Sequence, residues 1–164
     1  MPDPRKIVIN TGPLIAIVAA TGSLDILKGL YESIVVPLEV SQEILAGGLS
    51  GFAVPEFKSA VWLDTRSTPT MIGTFLNNTL DPGEASVIQT ALDLGIPTVC
   101  IDEAVGRRIA RLNGLALTGS IGIFLRAKQE GTAISIRDAL DSMHKHGIWL
   151  NQAVIDTAIK LSGE

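Results

Sequence analysis

The stretch Lys6-Ile7-Val8-Ile9-Asn10-Thr11-Gly12-Pro13-Leu14 decides the fold. Lys6–Ile9 is short, apolar and β-branched, the pattern of a buried strand, and Asn10-Thr11-Gly12-Pro13 ends it. Pro13 has no backbone N–H to lose and already holds the φ of a first helical turn, so it marks a helix start. Leu14 to Ala20 continues as a buried helix until Thr21-Gly22-Ser23 breaks it. A strand that turns at once into a helix is the first half of a βα unit.

Working outward, Leu24 to Tyr31 restarts as a helix with Leu24, Leu27, Leu30 and Tyr31 on one face. Ser33–Val36 is a second strand. Pro37 opens a helix carrying Val40, Ile44 and Leu45 inward, stopped by Gly47 and Gly48. Val61-Trp62-Leu63 reads as a third strand, and Met71–Leu76 as a helix within a long loop. Asp81-Pro82-Gly83-Glu84 is a strong helix start, and that helix runs to Leu94. Thr98–Ile101 is a fourth strand, followed by a helix from Glu103 to Asn113 and a fifth strand at Leu115–Leu117. Helices at Ile121–Lys128, Ile136–Lys145 and Gln152–Leu161 close the chain, with Trp149 expected in the core. Short apolar strands alternating with helices make an α/β domain, one domain over residues 1–164, with a mainly parallel sheet covered on both faces. Chemistry in such sheets collects where strand C-terminal ends meet helix N-termini.

Composition removes several classes. With 46% hydrophobic and 18% charged residues, the chain has ample material for a core and no case for disorder. Lys plus Arg total 13 against 17 Asp plus Glu, a net charge of −4, which excludes coating nucleic acid by global positive charge but leaves room for a local basic strip. Four Phe, two Trp and one Tyr are too few for a base-stacking platform. The single cysteine, Cys100, excludes an internal disulfide and a thiolate zinc cluster, and it fits a reducing compartment. No charged start leads into an apolar signal core and no apolar run approaches about 20 residues, so the expectation is a cytoplasmic protein.

The common catalytic signatures are missing. No G-x-G-x-x-G follows the first strand. Gly114 and Gly119 have P-loop spacing, but Ser120 stands where the lysine is required. Gly48-Leu49-Ser50-Gly51 fails as a nucleophile elbow because Phe52 follows. His144 and His146, two apart, point to different helix faces and make a poor metal pair.

What remains is a set of acidic and amide groups at the expected active edge. Asn10 ends strand one; Asp102 ends strand four with Glu103 beside it. Glu43 lies on the helix after strand two, and Glu84 in the first turn of the helix before strand four. Carboxylates converging from separate segments suit a hard divalent cation such as Mg²⁺ or Mn²⁺, which prefers oxygen ligands and can serve phosphodiester cleavage. Each residue also has a plain structural reading. Asp81 and Glu84 fit the ends of a capping box, Asp102 and Asn10 fit helix caps, and Glu43 fits a solvated helix surface. Glu39, one turn earlier, shares the face of Glu43 and competes for its role.

Val8-Ile9-Asn10-Thr11-Gly12-Pro13-Leu14 resembles the D/N-T-S-P-L start of PIN-like domains, in the bacterial and archaeal branch related to VapC-type toxins. Leu80-Asp81-Pro82-Gly83-Glu84-Ala85, Ile101-Asp102-Glu103 with Gly106-Arg107-Arg108 and Ala110, Gly114-Leu115, Thr118-Gly119-Ser120-Ile121-Gly122, and Gly147-Ile148-Trp149-Leu150 extend the resemblance in order along nearly the whole chain. It implies a three-layer α/β/α PIN-like fold, strand order 3-2-1-4-5, and a ribonuclease dependent on Mg²⁺ or Mn²⁺. It maps the acidic site onto Asn10, Glu43, Glu84 and Asp102 as metal ligands, with Glu43, Glu84 and Asp102 catalytic and Thr11 the neighbouring hydroxyl. It also implies RNA as substrate, a homodimer, and the toxin role in a pair with a small antitoxin protein. Asn10 departs from the family's usual Asp. Its amide oxygen can still bind a cation but brings no charge, so weak or conditional activity is expected. A catalytically weak module that binds RNA or a protein partner is the alternative.

An acidic pocket repels phosphate unless cations offset it. Arg107, Arg108 and Arg111 follow Asp102 on one helix and form the densest basic strip in the chain, which fits phosphate contacts as well as a solvated helix face.

Overall fold

The computed structural model describes residues 5–47 and 51–164. The expected stop at Gly48 and residues 48–50 of the rejected elbow lie outside the described residues. In chain order the elements are β1 (Lys6–Ile9), α1 (Thr11–Thr21), α2 (Ile26–Leu30), β2 (Ser33–Val36) and α3 (Leu38–Leu45), then α4 (Val54–Ser59), β3 (Asp64–Thr65), α5 (Thr74–Thr79), α6 (Pro82–Leu94) and β4 (Thr98–Cys100). They continue with α7 (Ala104–Leu112), β5 (Ala116–Thr118), α8 (Ser120–Gln129), α9 (Ile136–Lys145) and α10 (Gln152–Ser162).

The five strands form one all-parallel sheet in the order β3-β2-β1-β4-β5. The order follows from the burial of β1. Ile7, Val8 and Ile9 are all fully buried, so both strand faces need cover and both edges need a neighbour. Burying each such side chain contributes about 1.5–3 kcal/mol, which places this strand at the centre. Ile7 pairs with Ile34 of β2 on one side, and Ile9 with Cys100 of β4 on the other. Helices cover the sheet: α1 packs on α8 and α9, while α6 packs on β1, β4 and α3. Phe124, Ile123, Ile136 and Met143 fill the space beneath the later helices.

Three expectations shift. The third strand is Asp64–Thr65, not Val61-Trp62-Leu63. Tight turns use the backbone there, with Val61 N–H bonding Ser59 and Leu63 N–H bonding Ala60, and Val61 is 87% exposed. This edge strand is too short to carry an apolar pattern. The helix placed at Met71–Leu76 forms at Thr74–Thr79, after Gly73, with Met71 in solvent. Trp149, expected in the core, is 73% exposed, its ring set steeply against that of His144 with centroids 3.8 Å apart. The short helix α4 was not expected; Ala53, in the left-handed region at φ 68°, turns the chain into it.

Candidate metal centre

Because β1 and β4 are adjacent, the residues leaving their C-terminal ends are neighbours. Asn10 donates its backbone N–H to Cys100 O at 3.1 Å and occupies the N-cap position of α1. Its side chain makes no capping bond. Instead Oδ1 is buried without a hydrogen-bond partner, on a residue only 6% exposed. An unpaired buried acceptor costs about 1–3 kcal/mol, so its surroundings matter.

Those surroundings are acidic. A Cβ on Gly83 would stand 2.6 Å from Glu43 Oε2 and 3.5 Å from both Asn10 Oδ1 and Asp81 Oδ1. Three oxygens from three segments therefore converge on the first turn of α6, and only glycine leaves the room they occupy. Thr11 Oγ1 donates to Glu43 Oε2 at 3.0 Å and aims that carboxylate inward. The rival Glu39 is engaged elsewhere: its two oxygens accept from Thr70 N and Thr70 Oγ1, each at 2.8 Å. The face of α3 is thus divided, Glu43 toward Asn10 and Glu39 toward the loop after β3.

Glu84 lies in the same first turn and is 4% exposed. Asp81 Oδ1 accepts its backbone N–H at 2.9 Å, which is the N-cap half of the expected capping box. Glu84's carboxylate turns instead toward α7, where Gly106 has no Cβ and so leaves room for Glu84 Oε2. Among the described residues, Asp81, Glu84 and Glu103 each offer an oxygen within 4.8 Å of the others. Burial pushes the Glu84 carboxyl up to about 8, reinforced by hydrogen bonding with Glu103 and by the negative charges of Asp81 and Glu103.

Asp102 stands slightly apart from this group. It does not cap α7, whose N-cap is Glu103. Its exposed carboxylate reaches β5's far end, where Oδ1 accepts from Ser120 N at 2.8 Å. A groove of about 1040 Å³ opens beside Asp102 and Glu103, walled by Ile15, Leu117, Ile121, Trp149 and Val154 among others. Arg107 is half-buried and donates from one Nη to Ile101 O at 2.7 Å and Thr118 O at 3.2 Å. Arg108 and Arg111 are exposed.

The structure thus brings together Asn10, Thr11 and Glu43 beside Asp81, and Glu84 beside Asp81 and Glu103. Asp102 is next to Glu103 in sequence but outside the tight triad. Sequence reasoning assigned Asp81 only to capping and gave Glu103 no role. The signal for both was present, since each sits at the start of a helix whose first turn carries or faces Glu84. The donor set is wholly oxygen: carboxylates plus one orphaned amide oxygen. It fits a hard divalent cation and not a thiophilic one. Over residues 6–164 the chain matches the family model described as DUF3368: PIN domain. It matches no curated protein.

Proposed function

Because the chain belongs to the PIN-domain family, we propose that it is a divalent-metal-dependent ribonuclease, and that Mg²⁺ or Mn²⁺ is its cofactor. The observation that carries this reading is Asn10 Oδ1, buried without a donor among the carboxylates of Glu43 and Asp81. A buried acceptor facing other acceptors suits a bound cation. Asn10, Glu43, Asp81, Glu84, Glu103 and Asp102 are the residues that would hold it. The chemistry such an ion supplies when bound is charge stabilisation and activation of water toward a phosphodiester.

The protein's own groups prepare that site. Thr11 orients Glu43, Asp81 fixes the first turn of α6, and the Ser120 amide holds Asp102. Glu84 keeps a proton near neutral pH and so limits repulsion inside the cluster. Arg108 and Arg111, exposed on the helix after Asp102, supply positive charge for the RNA backbone. None of the helices among the described residues is long and apolar enough to cross a membrane. A cytoplasmic location, a homodimer and a small antitoxin protein as partner belong to the same proposal, on the strength of the family resemblance.

The alternative of a catalytically weak RNA- or protein-binding module is favoured by one observation, the amide at position 10 where a carboxylate would add charge. Cleavage of single-stranded RNA with Mn²⁺ or Mg²⁺ decides between them, comparing wild type with Asp102→Ala. The ribonuclease reading expects cation-dependent cleavage that falls at least about a hundredfold in the variant. Equal rates, or no cleavage by the wild type, overturn it.

A further inference from the structure

We propose that Arg107 is a positioning residue that acts through Asp102, not a ligand for the RNA backbone, an inference that rests on the nuclease reading above. Its helix face and its neighbours Arg108 and Arg111 suggest a phosphate contact, but its guanidinium is turned inward. One Nη donates to the carbonyl of Ile101 at 2.7 Å and to that of Thr118 at 3.2 Å. Ile101 is the first residue past β4 and Thr118 the last of β5, and they are already joined by Ile101 N–H to Thr118 O at 3.1 Å. Hydrogen bonds from a charged donor are the stronger kind.

The Ile101 carbonyl belongs to the peptide that carries the Asp102 nitrogen, so fixing it fixes the plane from which Asp102 departs. The Asp102 carboxylate is then held at its other end by Ser120 N–H at 2.8 Å. Gly119 shows how tightly these groups meet. A Cβ there would lie 2.6 Å from Asp102 Oδ1, 3.0 Å from Arg107 Nη1 and 3.6 Å from Ile101 O. Arg107 therefore braces the end of the sheet from which Asp102 projects, and it places a positive charge near that carboxylate. Arg108 and Arg111 remain exposed to meet a ligand.

The test compares Arg107→Ala and Arg107→Gln with Arg108→Ala and Arg111→Ala. Three quantities are measured: kcat and KM for RNA cleavage with Mn²⁺, the salt dependence of RNA binding, and hydrogen exchange at the Ser120 amide without metal or RNA. Gln preserves the stem's packing but is too short to reach both carbonyls. For both Arg107 variants the expected result is a ten- to hundredfold loss in kcat with KM and salt slope unchanged, because a small misplacement of a reacting group suffices. Ser120 should exchange faster in both. Arg108→Ala and Arg111→Ala should each flatten the salt slope by about one and leave Ser120 protected. A flattened slope in the Arg107 variants, unchanged exchange at Ser120, or loss of cooperative melting in both variants overturns the inference. The exchange reading needs no activity. A wild type that cleaves no RNA while Ser120 still depends on Arg107 defeats the nuclease reading and leaves the positioning role standing.

Discussion

Glu84 reaches its position because two needs of the helix start coincide. Asp81 caps α6 through the Glu84 backbone, and that fixes the Glu84 side chain between α6 and α7. The carboxyl is buried beside Asp81 and Glu103 and holds its proton to about pH 8, while in the unfolded chain it releases it near the ordinary value of 4.5. The folded state thus binds the extra proton between those values, so stability is fullest below about 4.5 and declines as pH rises toward 8. Glu84→Gln cannot ionise and escapes the decline. In metal-free buffer its melting temperature should match wild type near pH 4.5 and exceed it by several degrees at pH 9, at roughly 2–4 °C per kcal/mol. A difference independent of pH would show that Glu84 is not the group responsible. The same proton must leave before a cation takes the carboxylate, so Mn²⁺ affinity should climb with pH up to about 8.

Among the elements, α6 carries the most information per residue. Pro82 suits its first turn, and Gly83 leaves the space in which Glu43, Asn10 and Asp81 approach one another. Alanine at position 83 is the better helix former by about 0.5–1 kcal/mol. Its Cβ, however, would press within 2.6 Å of Glu43 Oε2. Gly83→Ala should therefore leave thermal stability within about 1 kcal/mol of wild type while weakening Mn²⁺ binding about tenfold in a calorimetric titration. Unchanged affinity would remove the Glu43–Asn10 side from the cation site. The strands were legible where burial was complete: β1 and β2 fall at Lys6–Ile9 and Ser33–Val36 as expected. Legibility failed at β3, whose two exposed residues bear no apolar pattern, while Val61-Trp62-Leu63 imitates one. Helix α9 was readable from its amphipathic spacing, but the six-residue α4 was too short to show a period. In the site, the local motifs were visible and the meeting of side chains was not. Whether Glu39 or Glu43 turns inward depends on where Thr70 lies, a contact 31 residues away in sequence.

At the scale of the molecule, a net charge of −4 and the RNA proposed as its substrate are reconciled by segregation. The acidic groups crowd one end of the sheet, where a cation would offset part of their charge, while Arg108 and Arg111 present positive charge on the helix leaving that end. The double variant Arg108→Ala with Arg111→Ala should weaken RNA binding at low salt and reduce its salt slope by about two, measured by fluorescence anisotropy from 50 to 200 mM salt, roughly the range over which phosphate contacts dominate. An unaltered slope would place the RNA path elsewhere, with the groove beside Trp149 as the next surface to probe.

The strand order also imposes a timetable on the growing chain. β1 is made first yet sits between β2 and β4, and the Ser120 amide that holds Asp102 is made more than a hundred residues after Asn10. At roughly 5–20 residues per second, the last group at this end of the sheet follows Asn10 by on the order of ten seconds. Until β4 is made, one edge of β1, apolar but for Lys6, lacks its neighbour, and the nascent chain must be kept from pairing with others. The oxygens proposed to hold a cation therefore come together only after synthesis has passed Glu103 at the start of α7.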